Sequence, residues 1–308
     1  MIRRLTRSSP APTPSVTPSS LPTMAAITMA RDEGPMLRRW VDHYARELGP
    51  DNLVVIDDNS TDGSTDDLPC PVIRIPPIGK KPFEPARMGL LSGLADSLLN
   101  VYDAVVFSDA DEFVVADPDK FESIRHLVAD RADRDVLGVV ALNLVHAPSE
   151  GPLDPGRPLL EQRHYAKFLP LMCKPAIKRI PAAWRWASHG IMAPYAVDPD
   201  LFMFHMKYGD RDQLRAISRA RNEAWKADRR ADGTSWTLGA DESVEVLDRL
   251  WDDVDLKAVK PFEVPLERLA EAITQRKDGS FRAVGQGQVK AMGKLPLVVV
   301  PERFRGLV

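Results

Sequence analysis

A chain of 308 residues, 44% hydrophobic and 28% charged, carries enough apolar material for a large buried core. Its net charge of −3 gives no general attraction to nucleic acid, and no apolar run approaches the length of a membrane-spanning helix, so membrane contact is at most peripheral. The two cysteines, Cys70 and Cys173, show no zinc-ligand spacing, and with no apolar leader the composition reads as that of a cytoplasmic protein in a reducing setting.

The first 23 residues are rich in Ser, Pro and Thr and contain Arg3, Arg4 and Arg7 but no acid. Such a segment has too little to bury, so 1–23 is predicted to be a disordered tail; its prolines count against the amphipathic helix of a transit peptide. Taking its three arginines from the net −3 leaves −6 for the remainder. Residues 24–260 are predicted to form one main domain, with halves at 24–115 and 116–260, and 261–308 a C-terminal extension.

Ala25 to Ala30 (AAITMA) is an apolar run followed by Arg31, Asp32, Glu33 and Gly34, and Leu53 to Ile56 (LVVI) runs into Asp57, Asp58, Asn59 and Ser60. Short continuous apolar runs suit parallel strands covered on both faces. Between them Met36, Leu37, Trp40, Val41, Tyr44, Ala45 and Leu48 recur at helical spacing, with Pro35 near the start and Gly49 past the end. The result is a βαβ unit. A strand at Val72–Ile75 and a helix over Pro85–Tyr102 continue the alternation of an α/β sheet.

The stretch Asp103 to Phe113 (DAVVFSDADEF) ends a β-branched run in three carboxylates, Asp109, Asp111 and Glu112. Carboxylates this close repel unless a cation compensates, and an i, i+2 pair at a strand end suits a hard divalent metal. In α/β sheets ligands bind beyond the carboxyl ends of the strands. The polar clusters Arg31–Glu33, Asp57–Ser60 and Ser108–Glu112 are therefore predicted to converge on one crevice. No G-x-G-x-x-G follows the first strand and no G-x-x-x-x-G-K-[ST] occurs, which excludes dinucleotide and P-loop cradles. A diphosphate held without a glycine cradle needs a cation, so Asp109 and Asp111 are predicted to hold Mg²⁺ or Mn²⁺ on it, with Asp57 or Asp58 accepting from a ribose or base edge.

MAAITMARDEGPMLRRWVDHY, then LVVIDDNSTDGS, then VVFSDADEF resemble the nucleotide-binding half of the GT-A fold glycosyltransferases, most closely the family-2-like enzymes. The likeness spans roughly Ala25 to Val115, and its specificity lies in three motifs in order. It implies an α/β fold, a GT-A (Rossmann-like) mixed sheet flanked by helices, with a helical C-terminal extension. It further implies 24–115 as the nucleotide-binding half, 116–260 as the acceptor half, a nucleotide-diphosphate sugar donor with UDP as default, and a divalent metal. Ala30, Arg31, Asp32, Glu33, Asp57, Asp58 and Ser60, with Ser108 and Asp109, would surround the donor, and Asp109 and Asp111 the metal. Arg87, beside Ala86 and Gly89 at a helix start, either meets a phosphate or is a solvent-facing arginine.

Beyond the acidic loop the resemblance weakens. A histidine often completes the metal site in GT-A enzymes, and His205 in FMFHMKYGDRD is the candidate third ligand, after the apolar run Leu201–Phe204. Lys207 would neutralise the leaving diphosphate. The Glu-Asp pair that supplies the base in inverting family-2 enzymes is missing between Lys174 and Lys207. Asp198 and Asp200 in VDPDL are the nearest candidates, although Asp-Pro also makes plain turns; Glu112 and His189 are weaker ones.

Leu144 to Pro170, with Glu150, Arg157 and His164, reads as a loop that either shapes an acceptor site or is ordinary surface. Trp184 and Trp186 either stack on a sugar or pack. Arg211 to Arg230 reads as a helix whose Arg215, Arg219, Arg221, Lys226, Arg229 and Arg230 form a solvated face or meet an anionic acceptor. Asp241–Asp253 and Leu266–Ile273 read as further helices, and LPLVVVPERF as an edge strand or subunit contact.

The expectation is a metal-dependent, non-processive hexosyltransferase that acts on a glycan or glycoconjugate hydroxyl, since neither a Q-x-x-R-W motif nor membrane helices are present. The alternatives are a sugar-phosphate nucleotidyltransferase, whose usual glycine-rich basic loop is not matched at Ala30–Gly34, and a catalytically dead relative that binds carbohydrate or serves as a scaffold.

Overall fold

The computed structural model describes residues 21–79, 82–228, 235–283 and 292–308. Residues 1–20 of the predicted tail, with Arg229 and Arg230, lie outside the described residues.

The first half is built from β1 (Met24–Ala30), α1 (Pro35–Leu48), β2 (Leu53–Asp57), β3 (Val72–Arg74), α2 (Phe83–Leu98) and β4 (Ala104–Phe107). These strands lie in the order β3-β2-β1-β4, all parallel, with the connections of a Rossmann-like sheet. All of β1 and β4 is buried because a helix covers each face. Trp40, Val41 and Tyr44 of α1 share a core with Ala26, Val55 and Val106. Met88, Leu91 and Ala95 of α2 share one with Ile27, Met29 and Phe107. Each large side chain so buried contributes about 1.5–3 kcal/mol. Helix α1 starts after Gly34 (φ +54°) with Pro35 in its first turn and stops at Gly49 (φ +91°), conformations that cost a glycine little.

The second half adds β5 (Glu112–Ala116), α3 (Ile124–Asp130), β6 (Val136–Val145), β7 (Tyr165–Phe168), β8 (Pro175–Lys178), β9 (Trp184–Arg185), β10 (Gly190–Ile191) and β11 (Ala196–Tyr208). Helices α4 (Arg211–Asp228) and α5 (Ala240–Arg249) follow, then β12 (Lys260–Pro261), α6 (Leu266–Ala270), β13 (Ile273–Gln275), β14 (Phe281–Ala283) and β15 (Val298–Val299). Among the described residues the main sheet has eleven strands, ordered β12-β15-β7-β6-β8-β4-β1-β2-β3, with β11 joining β6 to β5. Strands β13, β14, β10 and β9 form a smaller sheet. The architecture is a mixed α/β sheet flanked by helices.

Some elements differ in extent or place from those expected. The run Leu201–Phe204 is the centre of a thirteen-residue strand, buried because β5 and β6 flank it. The predicted helix over Leu266–Ile273 ends at Ala270, and Ile273 opens β13. Among the described residues of the predicted C-terminal extension, the strands join the sheets of the main body. Their strand β15 pairs with β7 and β12, β14 pairs with β10, and Phe304 packs on Phe202 and Phe204 at ring distances of 4.7 and 5.2 Å. The apolar LPLVVV segment is thus internal to the sheet, with β12 outside it. Among the described residues no helix is long and apolar enough to cross a membrane.

Candidate functional site

Strand β4 runs out of the sheet at Phe107 and the chain re-enters at Glu112, so Ser108 to Asp111 form a tight turn at the carboxyl end of the parallel half. The turn is closed twice: Glu112 N donates to Asp109 O at 3.0 Å, and Asp109 N donates to Glu112 Oε2 at 2.9 Å. Glu112 is also paired with the buried Lys174 ammonium. Burial raises its pKa, with Lys174 opposing. Its carboxylate therefore braces the turn, which removes it as a base candidate.

Asp109 receives a charge-assisted hydrogen bond from Arg87 and lies 3.9 Å from Lys174 Nζ. Burial pushes its carboxyl up, but the two cations outweigh that and hold it below the usual range. Asp111 is held far lower: against burial, the nearby His205 imidazole and then Arg221 and Lys174 favour its charged form. Its Oδ2 lies 3.4 Å from His205 Nε2.

His205 reaches this place through strand register. It pairs with Glu112 across β5 and with Asn143 across β6, and its Nδ1 lies 2.8 Å from Asn143 Oδ1. With Nδ1–H donated to that carbonyl oxygen, Nε2 is the nitrogen turned toward Asp111, and loss of its proton to a binding cation would free its lone pair as a ligand. Two donors at about 2.1 Å from one octahedral ion stand about 3 Å apart, so Asp111 and His205 fit as a two-residue seat for a divalent cation. Asp109 is not joined to them, because its carboxylate is taken up by Arg87. Among the described residues no group of three His, Cys, Asp or Glu side chains is assembled for a metal. Mg²⁺ and Mn²⁺ commonly take only one or two protein carboxylates, with phosphate oxygens and water completing the shell.

Cations ring this turn. Arg221, from α4, donates to Glu33 Oε1 at 3.3 Å and spans 188 residues to do so. Burial raises Glu33 to about 7, against Arg221 and with help from Asp111 and Asp109. Lys207 donates to Ser235 Oγ at 2.9 Å and is pushed down to about 8 by burial and by Arg221. Asp111, Lys207, Ser218, Arg221 and Ser235 line a small crevice, open in part to solvent. Of the basic residues expected either on a solvated face or at an anionic ligand, Arg221 is the one that reaches this crevice. The available signal was its place seven residues after Leu214, on the half-buried stripe that also carries Ile217 and Trp225.

The loops after β1 and β2 interlock beside the carboxylate turn. Asp32 (φ +53°) accepts from Thr61 N at 2.6 Å and its own N donates to Ser60 Oγ at 3.2 Å. Asp58 N donates to Ala30 O, and Arg31 lies 3.8 Å from Asp58. Asp57 accepts from Ser60 N at 2.7 Å and from Thr65 Oγ1 at 3.1 Å, so it shapes its own loop. Asp58 Oδ1 accepts from Ile78 N at 2.9 Å. The three polar clusters, separate in sequence, are thus brought to one end of the sheet.

Other predicted positions lie elsewhere. Ser108, expected at the donor, is fully buried, with its hydroxyl 2.9 Å from Trp40 Nε1 and 3.0 Å from Tyr44 OH: it ties α1 to the turn. Asp198 and Asp200, expected as bases, sit at the opposite end of β11. Asp198 pairs with Arg131 and Arg134, and Asp200 with Lys120 and Arg131. Five residue steps along the strand lead from Asp200 to His205, about 17 Å at the usual rise, so neither is near the turn. His189 is half-buried, pushed down to about 3 by desolvation and then Lys174, and its Nδ1 is 3.2 Å from Leu171 O. Trp184 is core, packed on Phe107 at 5.1 Å. The Leu144–Pro170 segment is pinned inward: Glu150 accepts from His164 N, and buried Arg163 pairs with Asp210.

No family model and no curated protein matches this sequence. Among solved structures it is similar to the mannosyltransferase PcManGT from Pyrobaculum calidifontis in complex with GDP-Man and Mn²⁺, at 20% identity over 40% of this chain and 37% of that one, with a TM-score of 0.30. It is also similar to the bifunctional IspDF from Campylobacter jejuni, at 13% identity over 51% of this chain and 40% of that one, TM-score 0.29. A third is mannose-1-phosphate geranyltransferase from Thermus thermophilus, at 12% identity over 76% of this chain and 66% of that one, TM-score 0.28. The chain spans well under half the length of the first two. At these TM-scores the likeness carries no argument about activity.

Proposed function

We propose that this chain is a GT-A-like, non-processive glycosyltransferase that moves a sugar from a nucleotide-diphosphate donor to a hydroxyl acceptor with the help of a divalent cation. The observation that carries the reading is the Asp111–His205 pair at the carboxyl end of the parallel strands, oriented by Asn143 and ringed by Arg87, Lys174, Lys207 and Arg221. An ion bound there would offset charge that builds on a leaving diphosphate, an effect of several kcal/mol. Lys207 and Arg221 face the same crevice and supply charge-assisted donors to phosphate oxygens. The interlocked loops, held in shape by Asp57, offer Asp32 and Asp58 as acceptors for a ribose or base edge at the topological switch region. In this reading Glu33 holds Arg221 in place until a phosphate takes over its guanidinium.

The test is calorimetric titration of UDP, GDP and CDP with Mn²⁺ and again with EDTA, on the native protein and on Asp111→Asn. The expected result is metal-dependent binding of one nucleotide, weakened at least 100-fold in the variant while its thermal unfolding is unchanged. Binding indifferent to both EDTA and the substitution overturns the reading. Release of pyrophosphate from a nucleoside triphosphate and a sugar 1-phosphate would move it to nucleotidyl transfer.

A further inference from the structure

The loop between β9 and β10 holds three consecutive non-glycine residues in left-handed backbone: Trp186 (φ +57°), Ala187 (φ +51°) and Ser188 (φ +69°). Single residues of this kind are uncommon, and a run survives only where its surroundings over-determine it. The anchors here are polar. Lys174 Nζ donates to Ser188 Oγ at 3.0 Å, His189 N to Trp186 O at 3.1 Å, and Trp186 Nε1 to Ser280 Oγ at 3.0 Å. Gly190 lets the indole lie close, since a Cβ there would meet Trp186 Cδ1 at 3.0 Å and Phe281 O at 2.9 Å.

A tight hairpin closes without strain when its turn residues are glycine or asparagine. What this loop achieves instead is presentation: Trp184 is fully buried, whereas Trp186, two residues on, is 47% exposed with its ring nitrogen tethered. The Arg282 guanidinium lies 5.1 Å from its ring centroid. The Lys174 ammonium that holds Ser188 is the one paired with Glu112 and 3.9 Å from Asp109, so the platform is built onto the carboxylate turn. The loops assigned to the nucleotide follow β1 and β2, while Lys174 immediately precedes β8, on the other flank of β4. An aromatic ring on that flank is placed for the second substrate and not for the base.

The geometry points to Trp186 as the platform on which a pyranose ring of the acceptor stacks, its apolar face on the exposed indole surface that the Arg282 guanidinium leaves uncovered. This rests on the sugar-transferase reading above and names the substrate class at its acceptor side.

The test is saturation-transfer NMR with Mg²⁺ and four probes, the methyl pyranosides of glucose, galactose, mannose and N-acetylglucosamine, on native protein, Trp186→Ala and Trp186→Phe. At least one pyranoside is expected to receive saturation in the native and Phe proteins and at least five-fold less in the Ala variant, with nucleotide affinity within two-fold of native. In the native protein the Trp186 indole N–H resonance shifts with the same pyranoside, a readout that does not depend on the variants folding. No saturation of any pyranoside, or an unmoved indole resonance, overturns the platform. Loss of nucleotide in place of pyranoside binding in Trp186→Ala also overturns it, by assigning the indole to the base. Pyranoside binding at Trp186 without nucleotide binding leaves the platform standing and removes the transferase reading beneath it.

Discussion

His205 and Asn143 are register partners in the parallel pairing of β11 with β6, and their side chains meet at 2.8 Å, Nδ1 to Oδ1. With Nδ1–H as the donor of this contact, Nε2 is the nitrogen turned toward Asp111, which sets the direction in which His205 can serve as a ligand.

Asn143→Leu is therefore expected to weaken metal-dependent nucleotide binding about 10–100-fold, the usual effect of losing the partner that orients a ligating histidine. Titration of Mn²⁺ into the nucleotide complex measures it. An unchanged metal affinity would show that the ring needs no orienting partner.

Lys174 is almost completely buried and joins Glu112, Asp109 and Ser188. Removing one partner of a buried pair leaves an uncompensated charge, so Lys174→Met should cost about 3–5 kcal/mol in urea unfolding. The double variant with Glu112→Gln is expected to lose at least about 1 kcal/mol less than the sum of the two single losses. Strict additivity would deny the coupling.

Ser108→Ala deletes the acceptor of Trp40 Nε1 and the partner of Tyr44 OH inside the core. The expected cost is about 1–3 kcal/mol of stability, with nucleotide affinity unchanged. A selective loss of nucleotide binding in a fully stable variant would return Ser108 to the donor site.

His43 is buried, with Nε2 2.8 Å from Val114 O, and burial lowers its pKa from 6.5 to about 4. A depressed folded value means that the unfolded chain takes up a proton before the folded one does. The stability that His43 contributes is present above about pH 6.5 and is lost as pH falls toward 4. Between pH 7.5 and 5.0 the native protein should lose about 2 kcal/mol through this residue, and His43→Gln should be spared that loss. Parallel pH profiles of the two proteins in urea unfolding would rule this out.

Much of the parallel half was legible in the chain because its causes are local. Apolar runs such as AAITMA and LVVI state that both faces are covered, the spacing of Met36, Trp40, Val41 and Tyr44 states a helix, and the acids after each run mark where strands surface. The convergence of Arg31–Glu33, Asp57–Ser60 and Ser108–Glu112 follows from parallel topology alone. Position along a strand is less legible: Asp198 and Asp200 are near His205 in sequence, yet β11, whose register with β6 shifts between Val197 and Phe202, carries them to its far end, among arginines.

Sequence by itself determined the fold class and the acidic turn, since periodicity and strand-end chemistry act within a few residues. Tertiary structure alone decided what surrounds that turn. Asn143 comes to His205 over 62 residues, Lys174 to Glu112 over another 62, and Arg221 to Glu33 over 188. Each of those pairs depends on strand register or on how a helix docks, and the free energy that sets both is spread over the whole core and written in no single segment.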